Sequence, residues 1–196
     1  MERQPTLIHH LRHNAERQPN AAALHAKRDG RWQSWSWKEY WENVCAVGRA
    51  LIARGHEDGQ SVVIAGANHP EWVMLEFGTM AAGGVPAPIY GTSTVEQTAY
   101  IAKDSGASIV CVDGPELLAK FFDAESKGLL EGISTYVTFF PLEDADVGAD
   151  DKRVLSFDAL VLEGQEAASE EFDTRLATLD EDRVCILIYT SGTTGQ

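Results

Sequence analysis

The sequence predicts an α/β protein: a mainly parallel, doubly wound sheet with helices on both faces, preceded by a small β-hairpin. Three observations carry that expectation. From residue 61 onward, short apolar runs such as "SVVIA" and "SIVCV" alternate with longer amphipathic stretches, the rhythm of strands buried on both faces and joined by right-handed helical crossovers. Ahead of them, "AALHAK" and "WQSWSW" flank "RDGR", two short strands around an Asp-Gly turn. The third observation is size: 196 residues, 44% of them hydrophobic, can bury a real core, and residues 1–196 are expected to form a single α/β unit.

Each element has a local reason. Residues 6–18 place Leu7, Ile8, Leu11 and Ala15 at helical spacing, and "QPN" stops the helix. His9 and His13 stand four apart on it, a conceivable metal pair, but no carboxylate or thiolate neighbours them and ordinary helix-face residues are the expected reading. In the hairpin, Trp35 and Trp37 read as sharing one strand face, packed on the body of the domain rather than stacked on a nucleotide base. "SWKE" at 36–39 is a capping box, and Tyr40, Val44, Val47 and Leu51 continue it as an apolar stripe that ends at Gly55. "SVVIAGAN" reads as a buried strand, and Pro70 opens the helix "PEWVMLEFGTMAAGG". The alternation continues through strand "VPAPIY", helix "TVEQTAYIAKDSG", strand "SIVCVD", helix "PELLAKFFDAESKG" and strand "STYVTFF". Residues 142–182 read as an acidic surface excursion, helical at "DTRLATL". "RVCILIY" then reads as a strand returning to the sheet, with 62–64, 109–112 and 186–188 central and buried.

Charge excludes some functions. The formal charge is −14, and residues 141–182 hold 14 acidic against three basic residues, net −11, leaving −3 for the rest. Such a chain has no basic footprint for a nucleic-acid backbone, so no nucleic acid is expected as a partner. Cys45, Cys111 and Cys185 offer no close pair for a disulfide framework or a Cys-based zinc site. A reducing, cytoplasmic location fits. "RQPTLIHHLRHNAERQP" lacks the apolar core of a signal peptide, and no apolar run approaches the roughly 20 residues of a spanning helix.

The chemistry gathers at "YTSGTTG", residues 189–195. In open parallel sheets, ligands collect beyond the carboxyl ends of the strands. Gly192 and Gly195 allow backbone N–H groups to converge on an anion, and the hydroxyls of Thr190, Ser191, Thr193 and Thr194 can donate to phosphate oxygens or help hold a magnesium ion. It is not the Walker pattern, since its glycines are too close and no Lys follows within these 196 residues. Nor is it an esterase elbow, since Tyr189 stands where that motif has its first Gly. By composition alone the loop reads either as a phosphate cradle or as a plain turn.

The string as a whole resembles the phosphate-binding loop of the AMP-forming acyl- and aryl-CoA synthetases, the adenylate-forming superfamily. Its surroundings match as well. "WSWKEYWENVCAVGRALIARGHEDGQSVVIAGANHPEWVMLEFGTMAAGGVPAPIY" is similar to that family's opening pattern: an aromatic-x-Glu helix, an Asn-x-x-Glu-Trp helix entry and an Ala-Gly-Gly-x-x-x-Pro strand. The family's Gly-Asp-x-Val element departs here, as "EDGQSVV". "PIYGTSTVEQTAYIAKDSGASIV" most resembles the long-chain fatty acyl-CoA synthetases. The resemblance implies the first part of the large amino-terminal domain of a longer enzyme, a fatty acyl-CoA ligase. Its carboxylate substrate attacks ATP to give acyl-AMP and pyrophosphate, and coenzyme A then takes the acyl group as a thioester. ATP, magnesium, coenzyme A and a fatty acid are the implied cofactors and partners, with peripheral membrane contact open to the intact enzyme. Thr190, Ser191, Gly192, Thr193, Thr194 and Gly195 are then the phosphate-binding residues, with Thr190 the candidate magnesium contact, and none is a nucleophile or general base. The family's adenine- and ribose-binding elements and its carboxyl-terminal Lys have no counterpart here, and most of the lining of its fatty-acid tunnel would lie downstream, so these residues alone are expected to be inactive. Two other functions stay open: a stand-alone, non-catalytic α/β module for a phosphate ligand or a protein, and an adenylation enzyme for another carboxylic acid.

Overall fold

The computed structural model describes residues 6–190. A helix α1 (Leu7–Arg17) leads into a hairpin of β1 (Ala22–Arg28) and β2 (Arg31–Ser36), antiparallel and turned at Asp29 and Gly30. Both turn residues have positive φ, 50° and 78°, the backbone that an Asp-Gly pair tolerates and a two-residue hairpin needs. The long helix α2 (Trp37–Ala53) begins at the expected capping box, with Glu39 N donating to Ser36 Oγ at 3.2 Å and Ser36 N donating back to the Glu39 carboxylate at 2.7 Å. Trp37 is the first residue of this helix, so it does not share a strand face with Trp35, contrary to expectation. The cap ends the strand one residue earlier.

The main sheet follows: β3 (Ser61–Ala65), β4 (Val85–Ile89), β5 (Ile109–Val112), β6 (Thr135–Thr138) and β7 (Val154–Ser156), all parallel, in the order β4-β3-β5-β6-β7. Helices α3 (Pro70–Ala81), α4 (Val95–Asp104) and α5 (Pro115–Ser126) make the crossovers. Alternate strand residues divide the core in two. Val62, Ile64, Ile109, Cys111 and Val137 face α1, α2 and α3, whereas Val63, Ala65, Val110, Val112 and Tyr136 face α4 and α5. Helices thus cover both faces, as the apolar runs require. Burying each such Val, Leu, Ile or Phe side chain contributes roughly 1.5–3 kcal/mol, which is what holds these short strands together.

Two expectations fail, each for a physical reason. Within the acidic stretch 142–182, β7 adds a fifth strand, and α6 (Phe157–Glu166) packs on α2 through Phe157, Leu160 and Val161, followed by α7 (Glu170–Thr178) with Phe172 buried. Residues 154–162 form an apolar run broken only by Ser156 and Asp158, but the acidic total of the whole stretch conceals this inward face. Arg153 ties β7 down: it donates to Glu125 and Asp151 at 2.8 and 2.9 Å and lies 5.2 Å over the Tyr136 ring. The second failure is the last strand. Residues 183–190 form no strand, and Val184 and Ile188 are 61% and 65% exposed. The segment runs alongside β4, where Leu187 N donates to Pro86 O at 2.9 Å, its single backbone hydrogen bond to that strand among the described residues. Pro86 and Pro88 pair in register with Val62 and Ile64 and present only carbonyls to the outer edge, because proline has no N–H. A ladder there can be built from one side only.

At the amino end of the sheet, His56 is 1% exposed and neither ring nitrogen has a partner. Gly84 lies against the ring, where a Cβ would overlap it. Burial, then the nearby Arg175 charge, lowers the imidazole from about 6.5 to about 4, partly offset by Asp58. Between those values the unfolded chain binds a proton that the folded chain refuses. Stability therefore falls on acidification from pH 6.5 towards 4, by up to about 3 kcal/mol from this group. In thermal melts across that range, His56→Leu should flatten the decline in Tm relative to the parent; parallel curves would show that His56 does not contribute.

Candidate functional site

The carboxyl ends of the strands supply three places where a ligand could sit. The first is the switch point between β3 and β5, whose following helices α3 and α5 go to opposite faces. Here Asp113 fills the crevice: its Oδ2 accepts the Ala67 N–H at 2.8 Å, and its Cβ lies 2.7 Å from where a Cβ on Gly66 would stand. Only glycine, with φ at 154°, permits that approach. A carboxylate already holding the available N–H makes this crevice unfit for an anion.

The second place follows β4. Ser93 N donates to Tyr90 O at 2.9 Å, and Lys120 Nζ from α5 donates to Gly91 O and Ser93 O at 2.8 and 3.0 Å. The turn is thereby braced by a cation against two carbonyls, and α4 starts from the Thr94–Gln97 capping box beside it.

The third place is where residues 183–190 lead. Arg183 grips Asp58 with two bonds, Nη1 to Oδ1 at 2.7 Å and Nη2 to Oδ2 at 2.8 Å, near the amino end of β3. That pairing holds the Asp58 carboxyl below its usual range. Leu187 meets Pro86, and Tyr189 Oη donates to Asp104 Oδ2 at 2.8 Å. The segment therefore travels with β4 and delivers Thr190, exposed, at its far end. Of the six residues expected to bind phosphate, Thr190 is the one described; Ser191, Gly192, Thr193, Thr194 and Gly195 lie outside the described residues. Sequence reading found the loop but missed Lys120, Asp104 and Asp58, because their partners lie 27 to 125 residues away and no local pattern announces them.

Other candidates resolve as structural. His9 is spent on the start of α1, where its Nδ1 accepts the Thr6 N–H at 3.1 Å. Trp35 lies under Arg28, whose guanidinium is 5.2 Å from its ring and also pairs with the buried Glu71. A cavity of about 190 Å³ lined by Leu7, Ile8, Met80, Gly84, Leu179 and Cys185 sits at the amino end of β4, the wrong end for the loop. Among the described residues no three His, Cys, Asp or Glu side chains converge on a metal position, and no helix is long and apolar enough to cross a membrane.

Comparison with known proteins bears on the fold and the family. The chain is 32% identical over 193 residues to long-chain-fatty-acid–CoA ligase ACSBG1 of Rattus norvegicus, covering 97% of the chain and 26% of that protein. It is 32% identical over 168 residues to long-chain-fatty-acid–CoA ligase FadD15 of Mycobacterium bovis, covering 86% of the chain and 26% of that protein. The chain thus spans about a quarter of the length of the curated relatives it matches. Among solved structures, the anthranilate CoA ligase AuaEII in complex with anthranoyl-AMP shares the fold, with a TM-score of 0.74 at 22% identity over 100% of this chain and 33% of that one. Residues 11–196, from the first turns of α1 through the hydroxyl-rich loop, match a single family, the AMP-binding enzymes, and to that family this chain belongs.

Proposed function

We propose that these 196 residues form one α/β unit that opens the nucleotide-binding domain of an ATP-dependent, AMP-forming ligase, joining a long-chain fatty acid to coenzyme A in the cytoplasm. The observation that carries this reading is the hydroxyl- and glycine-rich string 190–195, which lies inside the matched span, together with the run of 183–190 alongside β4 that ends at its first residue, Thr190. Cys45, Cys111 and Cys185 are free, which supports a reducing compartment. The chemistry is attack of a carboxylate on the α-phosphate of ATP, release of pyrophosphate, and thioester formation from the acyl-AMP. An anionic nucleophile meets a polyanion there, so the protein must place donors where charge grows.

In this reading the backbone N–H groups around Gly192 and Gly195 and the hydroxyls of Ser191, Thr193 and Thr194 hold the β- and γ-phosphates. Their donors fit an oxyanion, and they need no change of protonation during the reaction. Thr190 offers a hard oxygen suited to magnesium, whose charge would offset that of the departing pyrophosphate.

In the full-length protein, pyrophosphate should exchange into ATP when a long-chain carboxylate is present. Replacing both Thr193 and Thr194 with Ala should slow that exchange by at least about tenfold without lowering Tm. Undiminished exchange in the double variant would mean the loop is only a turn, and exchange supported by aryl or short acids alone would change the acid class.

A further inference from the structure

The way residues 183–190 are held points to a device for placing the phosphate loop. Strands that carry such loops are ordinarily zipped into a sheet, so the exit point of the loop is set by the ladder. Here the ladder is denied: Pro86 and Pro88 offer no N–H, and Leu187 N to Pro86 O is the one backbone link among the described residues. Side chains at the two ends take over. At the start, Arg183 is clamped to Asp58 by its two-bond pair. At the end, the residue immediately before Thr190 reaches sideways to α4. Tyr189 Oη donates to Asp104 Oδ2 at 2.8 Å, while its ring stands edge-on to Tyr100, centroids 6.4 Å apart and planes at 88°.

We propose that Tyr189 and Asp104 are positioning residues that fix where the phosphate loop departs from β4 and thereby set the affinity for ATP. This rests on the reading of 190–195 as a phosphate loop. The donor keeps its proton at neutral pH, since partial burial and then the Asp104 carboxylate push the Tyr189 hydroxyl up to about 12. A charge-assisted bond of this kind holds more strongly than a neutral one. With it, the loop starts from one place; without it, only a fraction of molecules presents the loop correctly, and apparent affinity falls by that fraction. The chemical step at saturating ATP is untouched, because ATP itself selects the competent arrangement.

The test uses the full-length protein. Tyr189→Phe keeps the ring against Tyr100 and removes the hydroxyl; it should raise KM for ATP in pyrophosphate exchange about fivefold at unchanged kcat. Asp104→Ala should do the same, and the double variant should be no worse than either single one, since both remove one bond. Asp104→Asn, which keeps an acceptor oxygen, should recover most of the affinity. A kcat that falls while KM stays constant would indicate merely less folded enzyme and would overturn the proposal, as would multiplicative KM effects in the double variant. Hydrogen–deuterium exchange without ligand separates this idea from the functional reading beneath it. Amides of 186–195 should exchange faster in Tyr189→Phe than in the parent, with the core of β3 and β5 unchanged. If the parent protein exchanges no pyrophosphate with any carboxylate, the ligase reading falls while the amide data still decide the tether. Identical amide exchange in parent and variant overturns it.

Discussion

Replacing Gly164 with valine is expected to lower folding stability by about 3 kcal/mol or more, which for a chain of this size shifts Tm by roughly 6–12 °C. Gly164 lies on α6 where that helix crosses α2, and a Cβ there would overlap the Ala46 carbonyl oxygen, with the Ala46 Cα 3.0 Å away. Backbone cannot step aside as a side chain can. Moving α2 would drag Val44, Val47 and Leu51, all fully buried, out of their packing. Valine has better helical propensity than glycine by a few tenths of a kcal/mol, so the sterics and the propensity oppose each other and the sterics are much larger. The crossing is further tied by Arg49 Nε donating to Gly164 O at 2.8 Å and by Arg54 gripping Glu163 with two bonds. Gly114→Ala is the control. Nothing lies within 4 Å of a Cβ at Gly114 and its φ of 177° suits any residue, so its Tm should stay close to that of the parent. Equal melting of Gly164→Val and the parent would mean that α6 is not seated on α2 as described.

Titrated with ATP by itself, the 196-residue chain is expected to bind no tighter than about millimolar and to form no acyl-AMP. The chain spans about a quarter of its relatives' length, and its own crevices add little. Asp113 already occupies the switch point, so the phosphates can turn only to the loop. Holding six loop residues in one arrangement costs roughly 1–2 kcal/mol each, comparable to what a few phosphate contacts return. The net charge of −14 supplies no general attraction for a polyanion. Isothermal calorimetry and radiolabelled pyrophosphate exchange with palmitate measure both quantities. Micromolar binding would favour a self-sufficient module for a phosphate ligand.

The parts of the fold that local chemistry dictates were legible in the sequence. Asp29-Gly30 announced the hairpin, Ser36 and Glu39 the start of α2, and the continuous apolar runs at 62–64 and 109–112 the buried strands β3 and β5. What escaped was set by residues distant in the chain. Whether 186–188 joins the sheet is decided about 100 residues earlier, by the prolines of β4, and reading "CILIY" alone cannot reveal it. Phe157 and Leu160 point inward because the missing side chain at Gly164 lets α6 seat closely on α2, a partner far away in the chain that the acidic total of the stretch conceals. The candidate site divides in the same way: its expected donors are spelled out consecutively from Thr190, but the groups that hold the segment leading to it, Asp58 and Asp104, come from the turn before β3 and from α4.

The two prolines of β4 carry a consequence for self-association. An outermost strand with a full row of free N–H and C=O groups is a template on which a strand from a second molecule can grow. While a chain is being made, β4 emerges about 100 residues before Leu187 can reach it, and for that interval its outer side is bare. With Pro86 and Pro88 in place, that side offers carbonyls but withholds the N–H donors a stranger would need. The intramolecular segment can tolerate this deficit because it is tethered and held by Arg183 and Tyr189, whereas an untethered strand from solution has no such help. What weakens the docking of the chain's own last segment therefore also guards the nascent sheet against edge-to-edge aggregation.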